Sequence, residues 1–151
     1  MHPLSGMADL GNWAARNTAY NLTFIPEDKL NWKPEPTANS SIEVVNHLLA
    51  VLSSMLPVLQ GQDWAPPQFT PATDLASAQS LLTESAGAYC TALTEIPLES
   101  LGKVVTVWGV FTAPLARVAT MPIVDLVHHH GQIAYIQTLL GDTEMHFAPE
   151  G

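Results

Sequence analysis

The stretch Ile123–Asp142, IVDLVHHHGQIAYIQTLLGD, is an apolar run that carries three consecutive histidines, with Asp125 four residues before the middle one. At about 100° per residue, Asp125 and His129 fall ~40° apart on a helix surface. Gln132, Ile136, Leu139 and Leu140 share their side, whereas Val127, Gly131, Ala134 and Thr138 lie opposite. The side with the large aliphatic residues is expected to face the core. A carboxylate on such a stripe needs a partner, because an unpaired buried charge is strongly unfavourable. Side chains four apart on a helix converge, so Asp125 and His129 can hold one metal ion if another helix supplies a third ligand.

Asn39-Ser40-Ser41-Ile42-Glu43 opens the helix that could supply it. Ser40 followed by Glu43 is a capping box, and Val44, His47, Leu48, Val51, Met55 and Val58 then share one face. His47 sits within that face, either as a satisfied core histidine or as the third ligand. Together His47, Asp125 and His129 would make a facial set with positions open for water or substrate. Such a set suits a divalent ion (Zn, Ni, Mn or Fe). Glu43 lies one turn before His47, so it either caps the helix or orients the imidazole. Gln132 and Tyr135 are further candidates to orient a group or exchange a proton.

The remaining elements are also helical in pattern. Residues 7–25 repeat Leu10, Trp13, Ala14, Asn17, Asn21 and Phe24 at spacings of three and four. Asn17 and Asn21 read as helix-edge polar residues or as the polar lining of a pocket. Pro26 ends this helix, and Asn31–Pro36 is extended because residues before proline avoid the helical region. Pro57 should kink or end the second helix. Thr73 or Asp74 caps a third, whose stripe is Leu75, Gln79, Leu82, Ala86, Tyr89, Cys90 and Leu93, ending near Pro97. Lys103–Phe111, KVVTVWGVF, is the one β-prone stretch, expected as a short hairpin or extended loop. Thr112 and Pro114 should begin the last helical stretch, with a kink or break at Pro122 and a C′ cap at Gly141. The tail beyond is expected to be loose, with His146 an exposed bystander. These features predict an all-α four-helix bundle, with a possible hairpin between helices three and four. The long connectors leave helix order and handedness open.

Length and composition agree with one domain: 151 residues, 47% hydrophobic and 13% charged. Five Lys and Arg against 14 Asp and Glu give a net charge of −9. That balance cannot furnish the cationic stripe that binds phosphates or anionic lipid, so no nucleic acid and no membrane is expected as a partner. No run of eighteen apolar residues suggests a transmembrane span. The N-terminus has no basic segment followed by an apolar one, so no secretory signal is expected. The lone Cys90 excludes an internal disulfide and reads as a core residue rather than a nucleophile. A reduced, cytoplasmic setting is the expectation. Two Glu-x-x-His pairs of a di-iron bundle, nucleophilic triads and glycine-rich phosphate loops are all missing.

The connector and second helix, IPEDKLNWKPEPTANSSIEVVNHLLAV, followed about eighty residues later by HHHGQIAYIQTLLGD, resemble the DinB/YfiT-like superfamily. Leu30, Trp32, Pro34 and Ser41 match the first motif, and His47 falls at the family's first metal histidine. His129-His130-Gly131-Gln132 matches the last motif, making His129 the last metal histidine. The sequence departs from the family at His130, where an arginine is usual, and at Asp125, where the middle metal histidine is usual. The resemblance implies a metal-binding four-helix bundle, often a homodimer, acting on a small-molecule substrate. Some members use low-molecular-weight thiols, and others are hydrolases or isomerases. Two readings follow: a metal-dependent hydrolase or thiol transferase, or a non-catalytic bundle that binds a small ligand or dimerises with a lapsed metal site.

Overall fold

The computed structural model describes residues 1–150. Four helices, α1 (Ser5–Leu22), α2 (Ser41–Leu59), α3 (Leu75–Glu95) and α4 (Leu115–Leu139), form an all-α bundle, with one hairpin, β1 (Val104–Val107) and β2 (Phe111–Pro114), between α3 and α4. α1 packs on α3 and α4, and α2 packs on the same two helices. Around the bundle the order is therefore α1, α3, α2, α4, with α1 diagonal to α2 and α3 diagonal to α4. This is what the long connectors are for: each joins helices across a diagonal, whereas α2 and α3 are neighbours.

α2 starts as its capping box requires. The Ser40 side chain accepts from the Glu43 amide, and the Glu43 carboxylate accepts from the Ser40 amide at 2.8 Å. Its core stripe is Ile42, Val44, Val45, Leu48, Leu49, Leu52, Met55, Val58 and Leu59. A large aliphatic side chain fully removed from water in this way contributes about 1.5–3 kcal/mol. By length and composition α2 could cross a membrane, yet 56% of that stretch is buried inside the bundle, where its apolar side chains form the core. His47 is not inside the stripe but exposed at its edge. Asn46, its neighbour, holds the next connector by exchanging hydrogen bonds with Ala72 at 2.7 and 3.1 Å.

α1 packs through small residues rather than through Leu10, which is exposed: Ala8, Gly11, Ala14, Ala15, Thr18 and Leu22 face inward. A Cβ added at Gly11 would lie 2.6 Å from Ile123 Cδ1 and 2.7 Å from Cys90 Sγ, so any larger residue would force those two side chains to move. Cys90 is buried there, and burial pushes its thiol up to about 11, consistent with a packing residue.

α4 begins without a side-chain cap. Its first amides are satisfied by the chain before the hairpin, Leu115 to the Lys103 carbonyl at 2.8 Å and Ala116 to the Leu101 carbonyl at 3.0 Å. Thr112 thus belongs to β2, and Pro114 ends that strand as the N-cap of α4. α4 also runs through Pro122 without a break. Proline deprives the Val118 carbonyl of its helical donor. Next to it the buried Tyr89 hydroxyl donates to the Ala119 carbonyl at 2.9 Å, tying this segment of α4 to α3. The helix ends at Gly141 (φ +103°) in a Schellman arrangement, with the Gly141 amide on Thr138 and the Asp142 amide on Gln137.

The tail is docked, not loose. Asn21 donates to the His146 carbonyl at 2.8 Å and Asn17 accepts from the Ala148 amide at 2.9 Å. His146 stacks on Phe24 at 3.5 Å between ring centroids and contacts Asp142 at 2.9 Å. The two asparagines of α1 are therefore neither edge residues nor pocket lining; they hold the C-terminal segment.

Candidate metal centre

On α4 the buried stripe runs Leu115, Val118, Ala119, Pro122, Ile123, Leu126, His129, Ile133, Ile136 and Gln137. His129 lies on it, but Asp125 stands at its margin and Leu139 is exposed. The carboxylate therefore faces the groove between α4 and α2 rather than the core. His47 comes to the same groove from the second turn of α2. Its Nε2 is 3.0 Å from Asp125 Oδ2, and His129 Nε2 is 3.4 Å from Asp125 Oδ1. The His47 and His129 rings approach at 4.7 Å between centroids. One ligand atom from each of the three residues lies within 4.8 Å of the others, the only such group among the described residues. His129 is nearly enclosed, Asp125 half-buried and His47 open to solvent on one side.

Gln132, one turn on, fixes His129. Its side-chain oxygen lies 2.6 Å from His129 Nδ1, and its amide nitrogen lies 3.1 Å from His128 Nε2. An amide oxygen only accepts and an NH₂ only donates. His129 therefore carries a proton on Nδ1, and its Nε2, which faces Asp125 and His47, is the nitrogen that could give its lone pair to a cation once deprotonated. A ligating histidine held through its second nitrogen in this way is the usual support of a metal site. Two imidazole nitrogens and a carboxylate oxygen, converging and with one side open, fit a divalent ion.

The electrostatics fit as well. Burial alone would raise the Asp125 carboxyl, but contact with His129 and then His47 outweighs it and holds the group below the usual carboxylate range. Burial alone would depress His129, but Asp125 and Gln132 reverse this and raise its pKa above the ordinary histidine value. Glu43 does not join the group. One carboxylate oxygen takes the Ser40 amide and the other is 2.7 Å from Lys33 Nζ, the contact that chiefly lowers its pKa. Tyr135 points to solvent on the outer side of α4, 63% exposed, apart from His47, Asp125 and His129.

Two depressions flank Asp125. One, about 210 Å³, is walled by His47, Val51, Trp108, Met121, Pro122 and Asp125. The other, about 470 Å³, runs along α4 past Arg117, Thr120, Val124 and His128. A larger cavity of about 530 Å³, between the α2–α3 connector and β1, is lined by none of His47, Asp125 and His129. Sequence reasoning missed Trp108, whose place at the site depends on how the hairpin folds back. The Trp108-Gly109 pair at the centre of the β-prone stretch was the available signal.

A family model of the DinB superfamily matches residues 12–133, a span that contains all three candidate ligands and Gln132. A DinB-like protein of Bacillus subtilis, YjoA, has a solved structure that is similar with a TM-score of 0.76, covering 94% of this chain and 96% of that one at 21% sequence identity. None of the curated proteins matches the sequence.

Proposed function

Because this chain belongs to the DinB superfamily and gathers His47, Asp125 and His129 around one point, we propose that it is a metal-dependent enzyme acting on a small molecule, a hydrolase or a thiol-dependent transferase. The observation that carries this reading is the His129 arrangement: Gln132 takes Nδ1–H and turns Nε2 into the groove. A divalent ion bound there would act as a Lewis acid that makes water or a thiol nucleophilic near neutral pH. Asp125 brings a negative charge to the ligand set, which favours ions that accept oxygen, such as Mn²⁺ or Fe²⁺ beside Zn²⁺ and Ni²⁺. His47 stands at the open rim, so the side facing solvent is where substrate enters. His128 keeps Gln132 in place, and Gln132 keeps His129 in its tautomer.

A low-molecular-weight thiol is the proposed co-substrate of the transferase form. The charge balance supports a protein that engages neither nucleic acid nor anionic membrane. Exposed Val124, Val127, Tyr135 and Leu139 on α4 support a homodimer, which light scattering after size exclusion would test. A cytoplasmic setting is part of the same proposal.

One observation favours a second reading. Asp125 already contacts both histidines, so the trio can serve as an ion-paired strut in a non-catalytic, ligand-binding bundle. Metal content per chain, measured on untagged protein purified without chelator, separates the two. A stoichiometric divalent ion supports the enzyme, and persistent absence of metal after Zn²⁺, Mn²⁺ and Fe²⁺ challenge leaves the strut.

A further inference from the structure

The hairpin turn holds a residue that its backbone does not favour. Trp108 has φ +54° and Gly109 φ +69°. Two successive positive φ values at a hairpin turn are normally met by Asn-Gly or Gly-Gly, and a bulky residue in the left-handed region is strained. A strained residue survives where its side chain has a use. The Trp108 indole is 42% exposed, so core packing does not explain it. It forms a wall of the cleft that His47, Val51, Met121, Pro122 and Asp125 also line. It is braced from behind: its ring centroid lies 6.2 Å from that of Phe111, over which the Arg117 guanidinium sits at 5.5 Å.

Four of the six walls are apolar, and the two polar ones are proposed metal ligands. An apolar cavity of roughly 150 Å³ suffices for benzene, so about 210 Å³ accommodates one six-membered ring with a short polar extension. Building on the metal-site reading, we infer that the substrate carries an aryl or similarly flat apolar group, which Trp108 receives while the polar end reaches His47 and Asp125. Ring stacking and apolar burial supply the preference.

Paired hydroxamates test this on Zn²⁺-loaded protein by calorimetry, since acetohydroxamate offers only the chelating head and benzohydroxamate adds the ring. Wild type should prefer benzohydroxamate by about tenfold more than Trp108→Asn does. Trp108→Asn should also melt at a higher temperature, because asparagine tolerates positive φ. Val51→Trp, which fills the cleft from another of its walls, should abolish the aryl preference while acetohydroxamate still binds. An aryl preference equal in wild type and both variants overturns the inference and leaves the metal site standing. Failure of wild type to take up Zn²⁺ or bind either hydroxamate sinks the metal reading itself, and the inference with it.

Discussion

His129 and His130 are neighbours on one helix, yet the protein treats them in opposite ways. His129 faces the α2–α4 groove, where Asp125 and Gln132 raise its pKa. His130 turns toward α1, edge-on to Trp13 at 5.3 Å, and burial depresses it. Its Nε2 is buried without a hydrogen-bond partner. The α1–α4 side is closed by small residues and by the docked tail, whereas the α2–α4 side is open and carries the charged group. Histidine content alone therefore says little. A carboxylate one turn away makes a candidate ligand of one imidazole, and its lack leaves the other a packing group.

The largest effects should come from taking apart that charged group and its support. Asp125→Ala and His47→Ala should each weaken Zn²⁺ binding by tenfold or more, while Gln132→Ala, which frees the His129 ring, should cost about 10–100-fold. His130→Gln should leave Zn²⁺ affinity within about twofold, because the His130 ring packs on Trp13 and not in the α2–α4 groove. Zn²⁺ titration by calorimetry reads all four. If His130→Gln weakens metal binding as much as Asp125→Ala, the two sides do not differ as described.

On the closed side the expected damage is to stability. Gly11→Val places methyls against Ile123 and Cys90 and should lower unfolding free energy by about 1–3 kcal/mol, typical of overpacking. Denaturant unfolding measures it, with Zn²⁺ affinity of the folded fraction unchanged. Smaller again, Asn17→Ala or Asn21→Ala alone should cost about 1 kcal/mol for its lost bond to the tail. Faster amide exchange across residues 142–150 is the accompanying signature.

The smallest effect is electrostatic and has opposite signs on the two sides. In metal-free protein the raised His129 contributes stability that is complete below its unfolded pKa of ~6.5 and is lost as pH rises through the raised value. Asp125 contributes above its unfolded value of ~3.9 and loses that share as pH falls through the depressed one. His130, depressed by burial, favours folding above pH ~6.5 and loses its contribution as pH falls through its own lowered value. Melting temperatures against pH for His129→Gln and His130→Gln, each compared with wild type, should therefore diverge with opposite slopes around neutrality.

Much of this was legible in the chain. Ser40 and Glu43 mark the start of α2 because capping is a matter of adjacent residues. Asp125, His129 and His47 stand out because metal ligands need particular residue types, and four-residue spacing makes two of them converge. What escaped depends on contacts between distant segments. Asp125 lies at the margin because α2 approaches α4 from that side, which helical periodicity does not encode. Asn17 and Asn21 look misplaced on an apolar helix until residues 146–148 arrive as their partners. Pro122 reads as a break until Leu115 and Ala116 find their acceptors in the preceding loop and Tyr89 ties the segment to α3. Trp108 becomes part of the site only once the hairpin folds toward α2.

The order of helices around the bundle also has a kinetic side. Only α2 and α3 are neighbours both along the chain and in space. α1 must wait for α3 and α4, so its contacts close long loops, and closure entropy is spent before those contacts form. An up-and-down bundle of the same helices could zip from either end, whereas this one has a single local pair on which to nucleate.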